Sequence, residues 1–175
     1  MMMKISGLFT VLTAFFLSFF FSSPSFAAPT MVEYPAGAMS PGSIVIHART
    51  RQLFLIVDEQ TAIRYPIAVP AKGKSWSGMA RVDGKYEKPA WSPPREVKRA
   101  NPHLPDYIAG GAPNNPMGAA ALTLDRHEIA IHGTTQAMRD SIGTAASFGC
   151  IRMYNEDILD LYSRVEVGAL VIMKR

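Results

Sequence analysis

Short runs of apolar and β-branched residues, each closed by turn-forming residues, recur along the chain after residue 41. The clearest runs cover residues 43–48, 52–57, 62–69, 80–86, 119–124, 128–131 and 170–173. Runs of roughly four to eight such residues between turns are typical of β-strands. Because each strand must bury a face against another layer, many short strands in one chain form a sandwich or a barrel. The pattern predicts a mostly β, sandwich-like fold with one or two accessory helices.

One helix is predicted near the C-terminus. Asn155 is a residue type that caps helices, and the acidic pair Glu156 and Asp157 suits the positive end of a helix. Apolar residues then recur at helical spacing, namely Ile158, Leu161, Tyr162 and Val165. A helix beginning at Asn155 with one buried stripe is therefore expected.

Residues 88–118 form a long stretch rich in proline, glycine and asparagine, with little apolar periodicity. An irregular segment of this length inside a compact domain is usually a lid or a binding loop. We therefore expect a long lid loop over a cleft, with Trp91 as a candidate for its border.

The first 27 residues have the pattern of a signal peptide. Lys4 precedes an uncharged apolar run at residues 5–21, and small residues flank the expected cleavage point after Ala27. An uncleaved anchor is the alternative, because about 17 apolar residues is the short limit of a membrane span. We expect a protein that acts outside the cytoplasmic membrane, in the periplasm or cell wall. Residues 28–41 read as a flexible lead-in and residues 42–175 as one domain.

Charge and residue spacing exclude several classes of partner. The net charge of +4 falls to +3 without Lys4, and no basic run occurs, so a nucleic-acid partner is not expected. A zinc site built from His127, His132 and Cys150 is conceivable, but the chain has no close metal-type pair such as Cys-x-x-Cys. We expect no metal.

Cys150 is the only cysteine of the chain. In a secreted protein it is a buried inert sulfur, half of an intermolecular bridge, or a nucleophile. His132, which ends an apolar run 18 residues earlier, would supply a base for the thiol. Gly149 would let backbone N–H groups turn toward a substrate carbonyl, as an oxyanion hole requires. Arg152 would lower the thiol pKa or bind a substrate carboxylate.

These residues stand in two motifs, His132-Gly133-Thr134 and Ser147-Phe148-Gly149-Cys150-Ile151-Arg152-Met153. Together they resemble the signature of the L,D-transpeptidase catalytic (YkuD-type) domain. The resemblance extends over residues 42–174, including Trp91-Ser92-Pro93-Pro94 and Asn155-Glu156-Asp157. One departure is Phe148, where many members have histidine, and it bears on substrate choice.

The resemblance implies a sandwich-like β fold and acyl transfer on peptidoglycan stem peptides. The thiolate of Cys150 would attack the carbonyl of the diaminopimelate residue and release terminal D-alanine. An acceptor amine would then take the acyl group, giving a 3→3 crosslink between two stems. His132 would be the base and later the acid, with its imidazole oriented by the carbonyl of Gly133.

The resemblance also assigns the neighbouring groups and partners. Gly149, Arg152 and Ser147 would form the oxyanion and substrate-binding groups, and no metal or organic cofactor is needed. Carbapenem antibiotics would be expected to acylate Cys150. The same site would also suit an L,D-carboxypeptidase or the attachment and release of an envelope lipoprotein. A non-catalytic wall-binding module and a cysteine protease of another type are less favoured alternatives.

Overall fold

The computed structural model of the protein describes residues 29–175, so the signal peptide expected at residues 1–27 lies outside it. The elements of this range are β1 (Thr30–Glu33), β2 (Ile44–His47), β3 (Gln52–Ile56), β4 (Thr61–Pro66), β5 (Val69–Pro70), β6 (Gly78–Glu87), α1 (Arg95–Ala100), β7 (Ala120–Leu124), β8 (Ala130–His132), a 3₁₀ helix (Gln136–Ser141), β9 (Ala145–Ser147), β10 (Ile151–Arg152), α2 (Asn155–Arg164) and β11 (Leu170–Lys174). Across these residues, no helix has the length and apolar character needed to cross a membrane.

Nine strands form one hydrogen-bonded sheet, in the order β1-β4-β3-β2-β11-β6-β7-β8-β10. Most neighbours are antiparallel, whereas β11 with β2 and β10 with β8 are parallel. Strands β5 and β9 form a separate parallel pair. The predicted mostly β fold with accessory helices and a long lid segment is confirmed.

Strand β6 belongs to both halves of this sheet. Its first residues, Gly78 to Arg81, pair with β11, and its later residues pair with β7. The register shifts between Val82 and Gly84, and a bulge of this kind bends a strand and increases its twist. Buried side chains from both halves and from α2 pack into one core, among them Tyr65, Leu122 and Leu161.

The segment expected to be a flexible lead-in contains a strand. Residues of β1 pair antiparallel with β4, from Thr30 opposite Arg64 to Glu33 opposite Thr61. Just after β1, the ring of Tyr34 packs on Phe54, with ring centroids 4.8 Å apart. Since the side chains of β1 itself are mostly exposed, no apolar periodicity marks this strand in the sequence.

The lid, residues 88–118, is ordered and contains helix α1. None of the α1 residues is buried, so the helix has no apolar stripe for a periodicity argument to detect. The side chain of Asn115 is buried and organises the rest of the segment. Its Nδ2 donates to the carbonyls of Pro89 and Ala109, at 2.9 Å and 3.0 Å. These bonds join the two ends of the lid into a fixed wall.

The predicted helix α2 is present, but Asn155 does not cap it. The residue before the helix is Tyr154, and no side chain caps the first turn. Asn155 is instead the first helical residue, and its Oδ1 accepts backbone N–H bonds from Ala119 and Thr134. The cap prediction is wrong because the asparagine side chain bonds to neighbouring segments instead of its own helix.

Asp157, in the first turn of α2, is a buried carboxylate that should weaken the fold at alkaline pH. The residue is 1% exposed, and its Oδ2 has no hydrogen-bond partner among residues 29–175. Burial, with the charges of Glu156 and Asp160, raises its pKa from 3.8 to about 7. Folding therefore becomes less favourable as the pH rises between these two values, because the folded state must carry an unpaired charge.

We expect Asp157→Asn to raise the free energy of unfolding by about 1–2 kcal/mol at about pH 8. Near pH 4 the gain should vanish, because the wild-type carboxyl is then protonated in the folded state. Urea unfolding at the two pH values measures both quantities. An equal gain at both would show that charge is not the cause.

Candidate active site

A cavity of about 410 Å³ brings together the residues singled out in the two motifs. Cys150, His132, Arg152 and Ser147 all line it. The lid contributes much of the remaining wall: Trp91, Pro94, Glu96, Val97, Leu104, Ile108, Asn114, Pro116 and Met117. The lid expected from composition therefore borders the cavity that contains the thiol.

Parallel pairing of two short strands makes the motifs neighbours. In the register of β8 and β10, Ile131 lies opposite Ile151 and His132 opposite Arg152. The N–H of Met153 donates to the carbonyl of His132 at 2.8 Å, which continues the contact past the strand. Cys150 directly precedes β10, so the sheet presents the thiol, the imidazole and the guanidinium at one place.

His132 is held in one tautomer by the backbone. The side chain is buried, and Nδ1 lies 2.8 Å from the carbonyl oxygen of Gly133. Because a carbonyl oxygen can only accept, the proton of the neutral ring belongs on Nδ1. The lone pair on Nε2 is then available to accept a proton.

The imidazole of His132 is uncharged at neutral pH. Burial, together with the positive charge of Arg152, lowers its pKa from 6.5 to about 4. Hydrogen bonding to the carbonyls of Gly133 and Pro116 opposes part of this shift. The ring is therefore unprotonated over a wide pH range, which is the form that a general base needs.

The low pKa of His132 predicts a loss of stability in acid. As the pH falls below 6.5, the unfolded chain binds this proton before the folded protein does. The stabilising contribution is complete above that pH and is lost toward pH 4, up to about 3 kcal/mol. Urea unfolding of wild type and His132→Gln at about pH 7 and about pH 4.5 measures it. Asp157 contributes an opposite pH dependence to both proteins, so it cancels in the difference between their free energies of unfolding. If that difference were the same at both pH values, the prediction would be contradicted.

The thiol of Cys150 is protonated in the resting site. Its Sγ lies 3.5 Å from the carbonyl oxygen of Glu128. Burial raises the pKa of the thiol, an effect opposed by hydrogen bonding to the backbone of Ala130 and by the charge of Arg152. The resting pair is thus a neutral thiol and a neutral imidazole.

The turn that carries Cys150 is fixed from both sides. Gly149 has a φ of 146°, and a Cβ there would meet Cδ1 of Ile129 at 2.6 Å, so only glycine fits. Nε1 of Trp76 donates to the Gly149 carbonyl at 3.1 Å. On the inner side, the Ser147 hydroxyl donates to the carbonyl of Cys150 at 2.5 Å.

The backbone donors of this turn differ from the expected arrangement. The N–H of Gly149 donates to Oγ of Ser147 at 3.3 Å, so it is occupied inside the turn. The N–H of Cys150 has no acceptor among residues 29–175. Ser147 therefore shapes the turn, and Cys150 itself offers the backbone donor that remains available for an oxyanion.

Arg152 supplies a fixed positive charge at this place. Its backbone N–H and carbonyl pair with Ala68 at 3.0 Å and 2.9 Å, and its Nη1 lies 3.5 Å from Oγ of Ser141. Burial lowers the pKa of its guanidinium, which still remains protonated at physiological pH. A cation beside the thiol favours anionic groups in the cavity.

Three residues that position the site were not assigned this role from sequence. The sequence predicts no role in the site for Trp76 or Asn115, and it predicts Asn155 as a helix cap. Each acts on a segment distant in sequence, so no local pattern marks its partner. For Asn155, the glycines Gly118 and Gly133 leave the space that its side-chain oxygen occupies, which the structure alone makes visible.

A family model and a curated relative both point to the same protein family. The sequence model of the L,D-transpeptidase catalytic domain, YkuD, matches residues 41–173. The probable L,D-transpeptidase ErfK/SrfK of Escherichia coli is 35% identical over 138 residues, which are 74% of this chain and 43% of that protein. This chain therefore spans less than half the length of that relative.

Two solved structures share the fold. L,D-transpeptidase 3 from Mycobacterium tuberculosis, in complex with a faropenem-derived adduct, has a TM-score of 0.59 and 14% identity, covering 76% of this chain and 60% of that one. A Brucella melitensis protein described as a probable carnitine operon oxidoreductase has a TM-score of 0.56 and 39% identity, covering 85% and 93%. That description concerns the Brucella protein alone. With the family model matched over most of its length, the chain belongs to the L,D-transpeptidase catalytic domain (YkuD) family.

Proposed function

We propose that the protein is a peptidoglycan L,D-transpeptidase with Cys150 as its nucleophile. The observation that carries the proposal is the neighbouring placement of Cys150 and His132 in one cavity, with the imidazole in the tautomer that accepts a proton. Membership of the family supports the reaction class. We propose that residues 42–175 form the catalytic domain.

In the first half-reaction, Nε2 of His132 takes the thiol proton while Sγ of Cys150 attacks the carbonyl carbon of the donor diaminopimelate residue. The N–H of Cys150 donates to the oxyanion that develops on that carbonyl. The bond between diaminopimelate and D-alanine then breaks, and the proton on His132 passes to the leaving amine. The products of this step are free D-alanine and a thioester on Cys150.

In the second half-reaction, the acceptor amine attacks the thioester carbonyl. His132 takes a proton from this amine and returns it to the sulfur as the bond between sulfur and carbon breaks. Arg152 holds a carboxylate of the donor stem during both steps. The lid limits which acceptor reaches the thioester, because its residues form much of the cavity wall.

The location and inhibitors follow from the same proposal. Peptidoglycan lies outside the cytoplasmic membrane, so we propose that residues 1–27 direct export to the periplasm or cell wall. A related enzyme has been solved with an adduct derived from faropenem, a β-lactam of the penem class, which supports acylation of Cys150 by β-lactams, and we propose carbapenems among them. Transfer to water would make the protein an L,D-carboxypeptidase, and transfer to a lipoprotein amine would attach that protein to the wall.

Incubation of the purified protein with a disaccharide-tetrapeptide tests the reaction. Crosslinked dimers together with released D-alanine are the expected products, separated by liquid chromatography and identified by mass. Tripeptide alone would assign carboxypeptidase activity instead. If the wild type gave neither crosslinked dimers nor tripeptide, both reactions would be contradicted.

A further inference from the structure

Asn155 joins three segments that surround the site. It lies at the start of α2, and its Oδ1 accepts the N–H of Ala119 at 2.9 Å and the N–H of Thr134 at 3.1 Å. Ala119 follows the end of the lid, and Thr134 follows the end of β8. One side-chain oxygen therefore ties the lid and the histidine strand to the helix.

The bond to Thr134 acts on the histidine through a single peptide group. The N–H of Thr134 and the carbonyl of Gly133 belong to the same planar, trans peptide unit, so they point in opposite directions. That carbonyl is the acceptor 2.8 Å from Nδ1 of His132. Asn155, the peptide unit and His132 thus form a series of hydrogen bonds, and bonds in series polarise one another.

The second bond holds the other carbonyl that faces the imidazole. The carbonyl of Pro116 also acts on the ring, because it opposes part of the lowering of the pKa of His132. Pro116 lies three residues before Ala119, whose N–H is bound by Asn155. The same amide oxygen therefore anchors both backbone segments that contact the ring.

Two glycines are shaped around this amide. A Cβ at Gly133 or at Gly118 would overlap Oδ1 of Asn155. Gly118 also has a φ of 66°, which side chains other than glycine seldom adopt. Because neither glycine has a side chain, Oδ1 of Asn155 can reach the N–H groups of both Ala119 and Thr134.

We infer that Asn155 is a positioning residue for His132, which it orients and polarises through the Gly133–Thr134 peptide group. This inference rests on the proposed function, in which His132 receives the proton of Cys150. When the imidazole becomes cationic during transfer, its Nδ1–H donates more strongly to Gly133. The bond from Thr134 to Asn155 makes that carbonyl a better acceptor, so Asn155 favours the charged state that the reaction requires.

Two substitutions of Asn155 separate the loss of the hydrogen-bond acceptor from the addition of a negative charge. Asn155→Ala removes the acceptor, and the carbapenem acylation rate should fall roughly 10- to 100-fold. Asn155→Asp keeps an acceptor oxygen and adds a negative charge, so the rate should stay within about fivefold of wild type. The acid limb of its pH profile should move to higher pH, because the added charge raises the pKa of His132. A charge added at this position raises that pKa through space in any case, so the shift tests how near position 155 lies to the ring, and the tautomer of His132 tests the polarising role.

The matched control is Asp58→Ala. Oδ1 of Asp58 also accepts two backbone N–H bonds, from Gln60 and Thr61, both at 2.8 Å, at an exposed turn that does not line the cavity. This variant loses the same kind of bonds and should melt at a lower temperature, with an unchanged acylation rate. A comparable rate loss in this control would assign the effect of Asn155→Ala to general destabilisation.

Nitrogen-15 NMR of the His132 ring gives a readout that needs no activity. In wild type the proton should reside on Nδ1, and in Asn155→Ala it should be shared between Nδ1 and Nε2. An unacylated wild type would defeat the proposed function while these shifts still decide the inference. Identical ring shifts in both proteins, or a folded Asn155→Asp that is as slow as Asn155→Ala, would overturn it. If Asn155→Ala does not fold, the ring shifts and the acylation rate of Asn155→Asp decide.

Discussion

Cys150→Ala should abolish covalent capture of a carbapenem. The intact mass of wild type is expected to rise by one antibiotic molecule, whereas the mass of the variant should stay unchanged. The expectation is specific because Cys150 is the only thiol in the chain, so no second cysteine can take its place. Electrospray mass spectrometry of the two proteins after the same incubation is sufficient.

The same substitution should reduce turnover of the tetrapeptide by more than about a thousandfold, because no other group at this place can form the thioester. Its structural cost should be small. The side chain is half-buried, and its sulfur makes a weak hydrogen bond to the Glu128 carbonyl. An unchanged wild-type mass, or an equal gain in both proteins, would contradict the assignment of the nucleophile.

His132→Gln should slow carbapenem acylation by about 10²- to 10⁴-fold, the usual range for loss of a general base. It should also change the pH dependence. The wild-type rate is expected to level off above about pH 5, because burial places the pKa of His132 at about 4. Without the base, the rate should keep rising with pH, since burial raises the pKa of the thiol that must then ionise alone.

His127→Gln is the matched control for this experiment. His127 also lines the cavity, but its side chain is 93% exposed and meets only the carboxylate of Glu128 at 3.7 Å. We expect acylation by this variant to follow the wild-type rate and pH profile. Equal losses in the two variants would show that the cavity needs imidazoles in general and not His132 as a base. A wild-type rate in His132→Gln would contradict the mechanism directly.

Local patterns predicted the parts of the fold that bury an apolar face. The strands containing Leu53, Leu122 and Ile131 alternate or run apolar, and each is present in the structure. Strand β1 and helix α1 escaped prediction because none of their side chains is buried. An element held by backbone pairing or by its ends leaves no periodic trace in the sequence.

Some features of the candidate site could likewise be predicted from the sequence, and others could not. The types and spacing of His132 and Cys150 indicated their chemistry, and the family resemblance indicated that they belong together. Their proximity itself comes from the parallel pairing of β8 with β10, which no local pattern encodes. The roles of Ser147 and Gly149 depend on which donor meets which acceptor in one tight turn. Such choices follow from geometry of a fraction of an ångström, which residue types alone do not specify.

The neutral resting state of Cys150 has a consequence for the lifetime of the enzyme. Oxidants and small disulfides react with thiolates far faster than with thiols, and sulfenic acid is the first product on the path to irreversible oxidation. Burial raises the pKa of this sulfur, and the neutral His132 leaves it protonated until a proton transfer is triggered. In the extracytoplasmic compartment proposed above, this state would spare a lone cysteine that has no second cysteine to pair with. Under the proposed mechanism, the thiol of Cys150 would react mainly with ligands that enter the cavity.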